Sequence, residues 1–314
     1  MRRQRQRRMF WVVALPALVA LGLTSLMMEG SQGPSYGRTW TNIDYVGDGI
    51  TGHLLDIYLP AKGSGPFPAV IMIYGSAWTS DHGKGEFGKV LAGVLCPVGF
   101  ATIAINHRSS LKSIFPAQIH DVKAAVRFVR ASAEAYSLDP DRIAVWGASS
   151  GGHLAALLGT SSGVGAYTVG GTTMSIEGIL GKHLTTSSRV QAVSDWCGAT
   201  DFLTLNDCYY TKDHNAKDSP ASLLIGGPIQ EHPEECALAN PITYVDSKDP
   251  PFFIAHGSND PQVPWCQSQK LHDALRAAGA PSTFTLVAGA GHTDLGTEKT
   301  LADTIAFLKE VLHP

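Results

Sequence analysis

Short, uninterrupted apolar runs constrain this chain more than any other feature. Ala69-Val-Ile-Met-Ile-Tyr74 and Ala101-Thr-Ile-Ala-Ile-Asn106 are rich in β-branched residues and lack polar alternation. Such runs are strands covered on both faces, as in a parallel sheet. Ile143–Trp146 and Phe252–Ala255 repeat the pattern, and Val190–Trp196 and Thr283–Val287 read as further strands. His53–Leu59 instead alternates, which suits a half-buried antiparallel strand. Helical stretches fall between the runs. One spans about Pro116 to Tyr136, carries Val122, Val126 and Val129 on one stripe, and stops before Asp139-Pro140. Gly151–Gly159, Gln267–Ala278 and an amphipathic Thr297–Leu312 follow. Strands alternating with helices predict an α/β fold: a mainly parallel central sheet with helices on both faces.

The rhythm breaks over 202–245, which is rich in Asn, Asp, Pro and Gly. That stretch reads as a small cap insertion of loops and short helices. Residues 31–40 read as a linker, so the folded domain is expected over 41–314.

Composition narrows the function classes. The 314 residues are 44% hydrophobic and include 33 Gly and 18 Pro. This excludes a disordered chain, a coiled coil and a collagen-like fibre. A net charge of −3 argues against a nucleic-acid binder, which needs a basic face. The basic residues cluster at the start, at Arg2, Arg3, Arg5, Arg7 and Arg8, ahead of an apolar run from Phe10 to Met28. Basic then apolar is the pattern of a secretory signal, here over 1–30. Retained uncleaved, the same run is long enough to serve as a membrane anchor. Either way the domain is expected outside the cytoplasm, secreted or periplasmic, with any membrane contact through this segment alone.

Gly147-Ala148-Ser149-Ser150-Gly151 matches G-x-S-x-G, and its context sharpens the match. The strand Ile143–Trp146 leads in and the helix Gly151–Gly159 leads out. A tight strand-to-helix turn of this kind exposes a nucleophilic serine at the carboxyl edge of the sheet. A serine needs a base, and the base an orienting acid. Asp260 lies in the loop after Phe252–Ala255, and His292 in a Gly-rich loop after Thr283–Val287. Both loops open on the same side of the sheet as Ser149. Asp201, which also follows a strand, is the competing acid; Asp260 is preferred because its strand immediately precedes the one delivering His292. His256 lies closer to its strand than a loop-borne base should. Oxyanion donors are expected from the N–H of Ser150, which follows the nucleophile, and from Ser76 and Ala77 after the strand ending at Tyr74. Trp78 and Trp265 flank these loops and are candidate substrate-binding residues.

Together these residues resemble the α/β-hydrolase serine esterases, in particular the acetyl xylan and feruloyl esterase-like branch of the hormone-sensitive-lipase-like group. The resemblance spans roughly 40–312. Its carriers are Phe115–Arg127, Asp139–Ile143, Trp146–His153 with the elbow, Asn240-Pro241, and His256-Gly257 with Asp260. It implies hydrolysis of short-chain or aromatic (acetyl- or feruloyl-type) carboxylic esters through an acyl-enzyme, with an ester substrate that can be polymeric. The chain departs from the family at the oxyanion loop: Tyr74 replaces a His and Ser76 a Gly. Polyester hydrolase, lipase-like esterase, prolyl-oligopeptidase-type peptidase and non-catalytic binding protein on the same fold remain the alternatives.

Cys96 lies in an apolar helical segment and reads as a buried thiol. Cys197, Cys208, Cys236 and Cys266 surround the insertion and the Asp260 loop; in a secreted protein they suggest disulfides. Cys197–Cys208 and Cys236–Cys266 are the expected pairs. No Cys/His spacing suits zinc, and Asp207, Asp213 and Asp218 lack the regularity of a calcium loop. No metal and no cofactor are expected. Oligomeric state is not legible.

Overall fold

The computed structural model describes residues 36–208 and 212–313. The expected leader over 1–30 and the first half of the expected linker lie outside them. The strands are β1 (Tyr36–Asp44), β2 (Leu54–Pro60), β3 (Phe67–Ile73), β4 (Ala101–Ile105), β5 (Leu138–Ala148), β6 (Ala166–Val169), β7 (Thr172–Ser175), β8 (Ala192–Trp196), β9 (Phe252–Gly257) and β10 (Ser282–Val287). The helices are α1 (Lys84–Leu95), α2 (Ala117–Ala131), α3 (Ser150–Thr160), α4 (Pro220–Ile225), α5 (Pro233–Ala239), α6 (Cys266–Ala278) and α7 (Glu298–Leu312). An eight-stranded sheet runs in the order β1-β2-β4-β3-β5-β8-β9-β10. Only the β1–β2 and β2–β4 pairings are antiparallel; the others are parallel.

The continuous apolar runs are explained by burial on both faces. In β3, Val70 and Met72 join Leu91 and Leu95 of α1 and Leu301 and Leu308 of α7 in one hydrophobic layer. Ile71 and Ile73 point the other way, to the layer holding Val122 and Val126 of α2 and Leu154 and Leu158 of α3. The period of two is intact, but both phases are apolar because helices cover both faces.

One expectation about organisation needs correction. Residues 36–40 belong to a strand, not to a linker. Trp40 pairs with Ile57 and Thr39 with Tyr58 at the sheet edge. The strand is mostly exposed, so it lacks the apolar signal of a buried run. Arg38 lies 4.3 Å from the Trp40 ring centroid, a cation over an aromatic face. A second excursion from the sheet precedes the expected insertion. The hairpin β6–β7 turns at Gly170-Gly171, where Gly170 has φ +56°. Buried Lys123 and Arg127 of α2 anchor the segment after it through Glu177.

Candidate active site

The elbow between β5 and α3 is built by contacts that leave no room for a side chain. A Cβ on Gly147 would lie 2.0 Å from the Gly151 carbonyl oxygen, and one on Gly151 would lie 2.1 Å from that of Ile73. Ser149 adopts φ 57°, ψ −123°, a conformation costing a non-glycine residue about 1–3 kcal/mol. Its N–H donates to the Trp196 carbonyl at 2.8 Å, and its own carbonyl accepts from the His153 N–H at 3.0 Å. The surrounding packing therefore over-determines the strained turn and aims the hydroxyl at the cavity.

Loops after β9 and β10 bring Asp260 and His292 to that hydroxyl. His292 Nε2 lies 2.8 Å from Ser149 Oγ, and His292 Nδ1 lies 2.6 Å from Asp260 Oδ2. A proton on Nδ1 donated to the carboxylate leaves Nε2 as the acceptor for the serine proton. Asp260 Oδ1 accepts the N–H groups of Gln262 and Val263 at 2.7 and 3.0 Å. Burial works to raise the Asp260 carboxyl, but His292 and His256 outweigh it and hold it below the usual carboxylate range. Burial likewise opposes the His292 imidazolium; Cys197 and Asp260 beside it override burial and raise its pKa well above the ordinary value. Asp201 stands elsewhere, accepting from Thr204 Oγ1 and Asn240 Nδ2.

Sequence reasoning gave His256 no role. The structure places its Nε2 3.1 Å from Asp260 Oδ2 and 3.0 Å from the Val263 carbonyl, with Nδ1 2.7 Å from Ser268 Oγ. Two acceptors at Nε2 put the proton there, so Ser268 donates to Nδ1. His256 thus orients the acid rather than the nucleophile. The four-residue spacing from His256 at the strand end to Asp260 in the following loop was the available signal. Cys197 was read as a disulfide half; its thiol instead faces the triad, donating toward the His292 carbonyl at 3.8 Å. His153, one turn into α3, accepts from Trp78 Nε1 on Nδ1 at 3.1 Å and donates from Nε2 to the Ala239 carbonyl at 2.8 Å. Burial pushes it down to about 4, so it is neutral and structural.

The oxyanion-loop expectation divides. Ser76 N–H donates to Ser150 Oγ at 2.8 Å, so it is not available to a substrate oxygen. Ala77 and Ser150 both line the cavity beside Ser149. Ala77 and Trp78 have φ 51° and 60°, which turns the loop over the nucleophile. Trp78 lines the cavity too, but it is mostly buried, with its indole packed on His153 and Phe202. Trp265 is half-buried at the start of α6 and is not part of the cavity wall. The cavity is small, about 60 Å³, and its remaining wall is largely apolar, including Ala199, Leu205, Ala221 and Val263.

The expected cysteine pairs are wrong. Cys208 is bonded to Cys266, tying the insertion to the start of α6. Cys197 and Cys236 are buried free thiols, as is Cys96. Cys197 closes the strand end beneath His292, and Cys236 faces the Ile229 carbonyl inside the insertion. Chain order around the insertion did not reveal that these two side chains turn inward. Cys197, Asp260 and His292 are close enough to serve as metal ligands. Their hydrogen bonds already account for that closeness, and a metal there would occupy the base.

A mainly parallel sheet carrying a Ser-His-Asp constellation at its carboxyl edge is the arrangement of an α/β-hydrolase. The BD-FAE family model matches residues 55–275, and the chain belongs to that family. It is 33% identical over 260 residues to Esterase LipQ of Mycobacterium tuberculosis (strain ATCC 25618 / H37Rv), covering 78% of this chain and 54% of LipQ. The chain spans about half the length of the curated relatives it matches. Among solved structures, a truncated form of a carbohydrate esterase from gut microbiota is 41% identical with a TM-score of 0.85, covering 91% of this chain and all of that one. A bifunctional GH43-CE protein of Bacteroides eggerthii is 44% identical with a TM-score of 0.83, covering 87% of this chain and 35% of that one.

Proposed function

We propose that this chain is an extracytoplasmic serine carboxylesterase that cleaves short-chain esters of hydroxylated alcohols through an acyl-enzyme. The observation carrying the reading is the line Ser149 Oγ, His292 Nε2, His292 Nδ1, Asp260 Oδ2, with contacts of 2.8 and 2.6 Å. Ser149 Oγ attacks the ester carbonyl carbon and gives its proton to His292 Nε2. The N–H groups of Ala77 and Ser150 hold the oxyanion, a contribution often worth about 3–4 kcal/mol per donor. Collapse breaks the bond to the alkoxide, which takes the proton from His292 and leaves as the alcohol. Water, deprotonated by His292, then attacks the acyl-serine carbonyl and restores the hydroxyl.

The apolar side of the small cavity, around Ala199, Leu205 and Ala221, favours an acetyl-sized acyl group over a feruloyl group. The carbohydrate-esterase relatives support a carbohydrate as the alcohol. The basic-then-apolar leader and the Cys208–Cys266 disulfide support an oxidising compartment. Hydrolysis of p-nitrophenyl esters from acetyl to palmitoyl, with methyl ferulate, tests the reading on wild type and Ser149→Ala. Cleavage confined to short acyls and lost in Ser149→Ala is expected. Preference for palmitate or ferulate would overturn the acyl assignment, and activity surviving in Ser149→Ala would overturn the mechanism.

A further inference from the structure

The cavity wall carries two hydrogen-bonding side chains that the mechanism leaves unused, His214 and Gln262. They come from different segments. His214 belongs to the insertion, where its N–H donates to Asn206 Oδ1 at 3.1 Å and its carbonyl accepts from Ser219 Oγ at 2.7 Å. Gln262 belongs to the acid loop, where its N–H donates to Asp260 Oδ1 at 2.7 Å. The His214 ring hydrogen-bonds the Gln262 main chain. The Cys208–Cys266 bond joins the same two segments covalently, close to both residues in sequence. Position decides what this polar wall faces. A departing alkoxide must receive its proton from His292, so the alcohol lies on the His292 and Asp260 side, where Gln262 sits. The oxyanion loop with Ala77 belongs to the carbonyl oxygen.

The geometry points to His214 and Gln262 as a subsite for a hydroxylated leaving alcohol, held at fixed spacing by the Cys208–Cys266 bridge. It deepens the esterase reading and rests on it. Buried His214 is neutral, since burial lowers its pKa, so its ring offers a sugar hydroxyl a hydrogen bond without charge. The side chains determine which alcohol is bound, while Ser149 and His292 perform the chemistry on any bound ester.

The test compares two acetates that differ only in the alcohol. One is mono-O-acetylated xylobiose and the other ethyl acetate. Losing a neutral hydrogen bond to substrate in Gln262→Ala or His214→Ala should lower kcat/KM on the xylobiose ester about tenfold, mainly through KM. On ethyl acetate, which has no further hydroxyl to hold, the fall should be several-fold smaller, so the ratio of the two kcat/KM values drops. Gln262→Ala keeps the N–H that holds Asp260, and His214→Gln keeps a polar group if His214→Ala misfolds; partial rescue by His214→Gln is expected. Equal losses on both esters, or no loss on the xylobiose ester, would overturn the subsite alone. Failure of folded wild type to cleave either ester would overturn the esterase reading and the subsite with it.

Discussion

Ser150 Oγ accepts a 2.8 Å hydrogen bond from the Ser76 N–H, joining the residue after the nucleophile to the oxyanion loop. The bond is buried and spans 74 positions of sequence. It fixes the distance between the two N–H groups assigned to the oxyanion, those of Ala77 and Ser150. A serine in place of glycine at position 76 is tolerated because its backbone stays out of the positive-φ region, which falls instead on Ala77 and Trp78.

Ser150→Ala removes this acceptor without removing the Ser150 N–H. A buried N–H left unpaired costs about 1–3 kcal/mol. We expect kcat for p-nitrophenyl acetate to fall about tenfold with KM nearly unchanged, because the loop loosens where the transition-state charge develops. Steady-state kinetics check this; a rise in KM at constant kcat would place the bond in ground-state binding instead.

Tyr74 accounts for the other departure in this loop. Its ring stacks on His107 at 5.0 Å between centroids, and its hydroxyl donates to the Ser80 carbonyl at 2.9 Å. A Cβ on Gly83 would lie 2.3 Å from that ring. Gly83→Ala is expected to destabilise by about 1–3 kcal/mol through overpacking. Gly85→Ala, two residues on in α1 with open space around the new methyl, is the control and should stabilise by about 0.5–1 kcal/mol. Urea unfolding midpoints separate the two; equal effects would contradict the Tyr74 packing.

How far the sequence reached is visible in these residues. The convergence of Ser149, Asp260 and His292 was legible because each follows a strand of the parallel sheet, and parallel strands present their carboxyl ends to one side. The Ser76 bond was not, because a backbone N–H has no sequence signature. β1 was missed because an exposed edge strand lacks apolar periodicity. The cysteine pairs were misassigned because spacing along the chain does not report which way a side chain points. His256 was seen but unexplained, since its partner Ser268 sits in the next helix.

Activity should rise with pH as His292 loses its proton, since only the neutral ring can accept from Ser149. The raised pKa places the half-maximal point above pH 6.5, with activity falling below it. A kcat/KM profile for p-nitrophenyl acetate checks the sign. A limb centred well below pH 6.5 would contradict the coupling of His292 to Asp260.

Asp195, wholly buried behind the elbow, offers a stability test of opposite sign to a salt-bridged acid. Burial raises its pKa to about 7, against one hydrogen bond from the Gly198 N–H at 3.0 Å. The folded state thus holds a proton that the unfolded state releases near the ordinary carboxylate value. Its stabilising effect is complete below about pH 4 and is lost as pH rises to about 7. Asp195→Asn keeps the acceptor for Gly198 and cannot ionise. It should be more stable than wild type at pH 8 and gain nothing at pH 4. Parallel stability curves across that range would contradict a buried, protonated Asp195.

The central claim is that Ser149 carries the acyl group during turnover. Rapid acid quenching with p-nitrophenyl acetate, followed by peptide mapping by mass, tests it directly. The account requires an acetyl group on the peptide containing Ser149, absent from Ser149→Ala. Acetyl on another residue with none on Ser149, or turnover undiminished in Ser149→Ala, would contradict it.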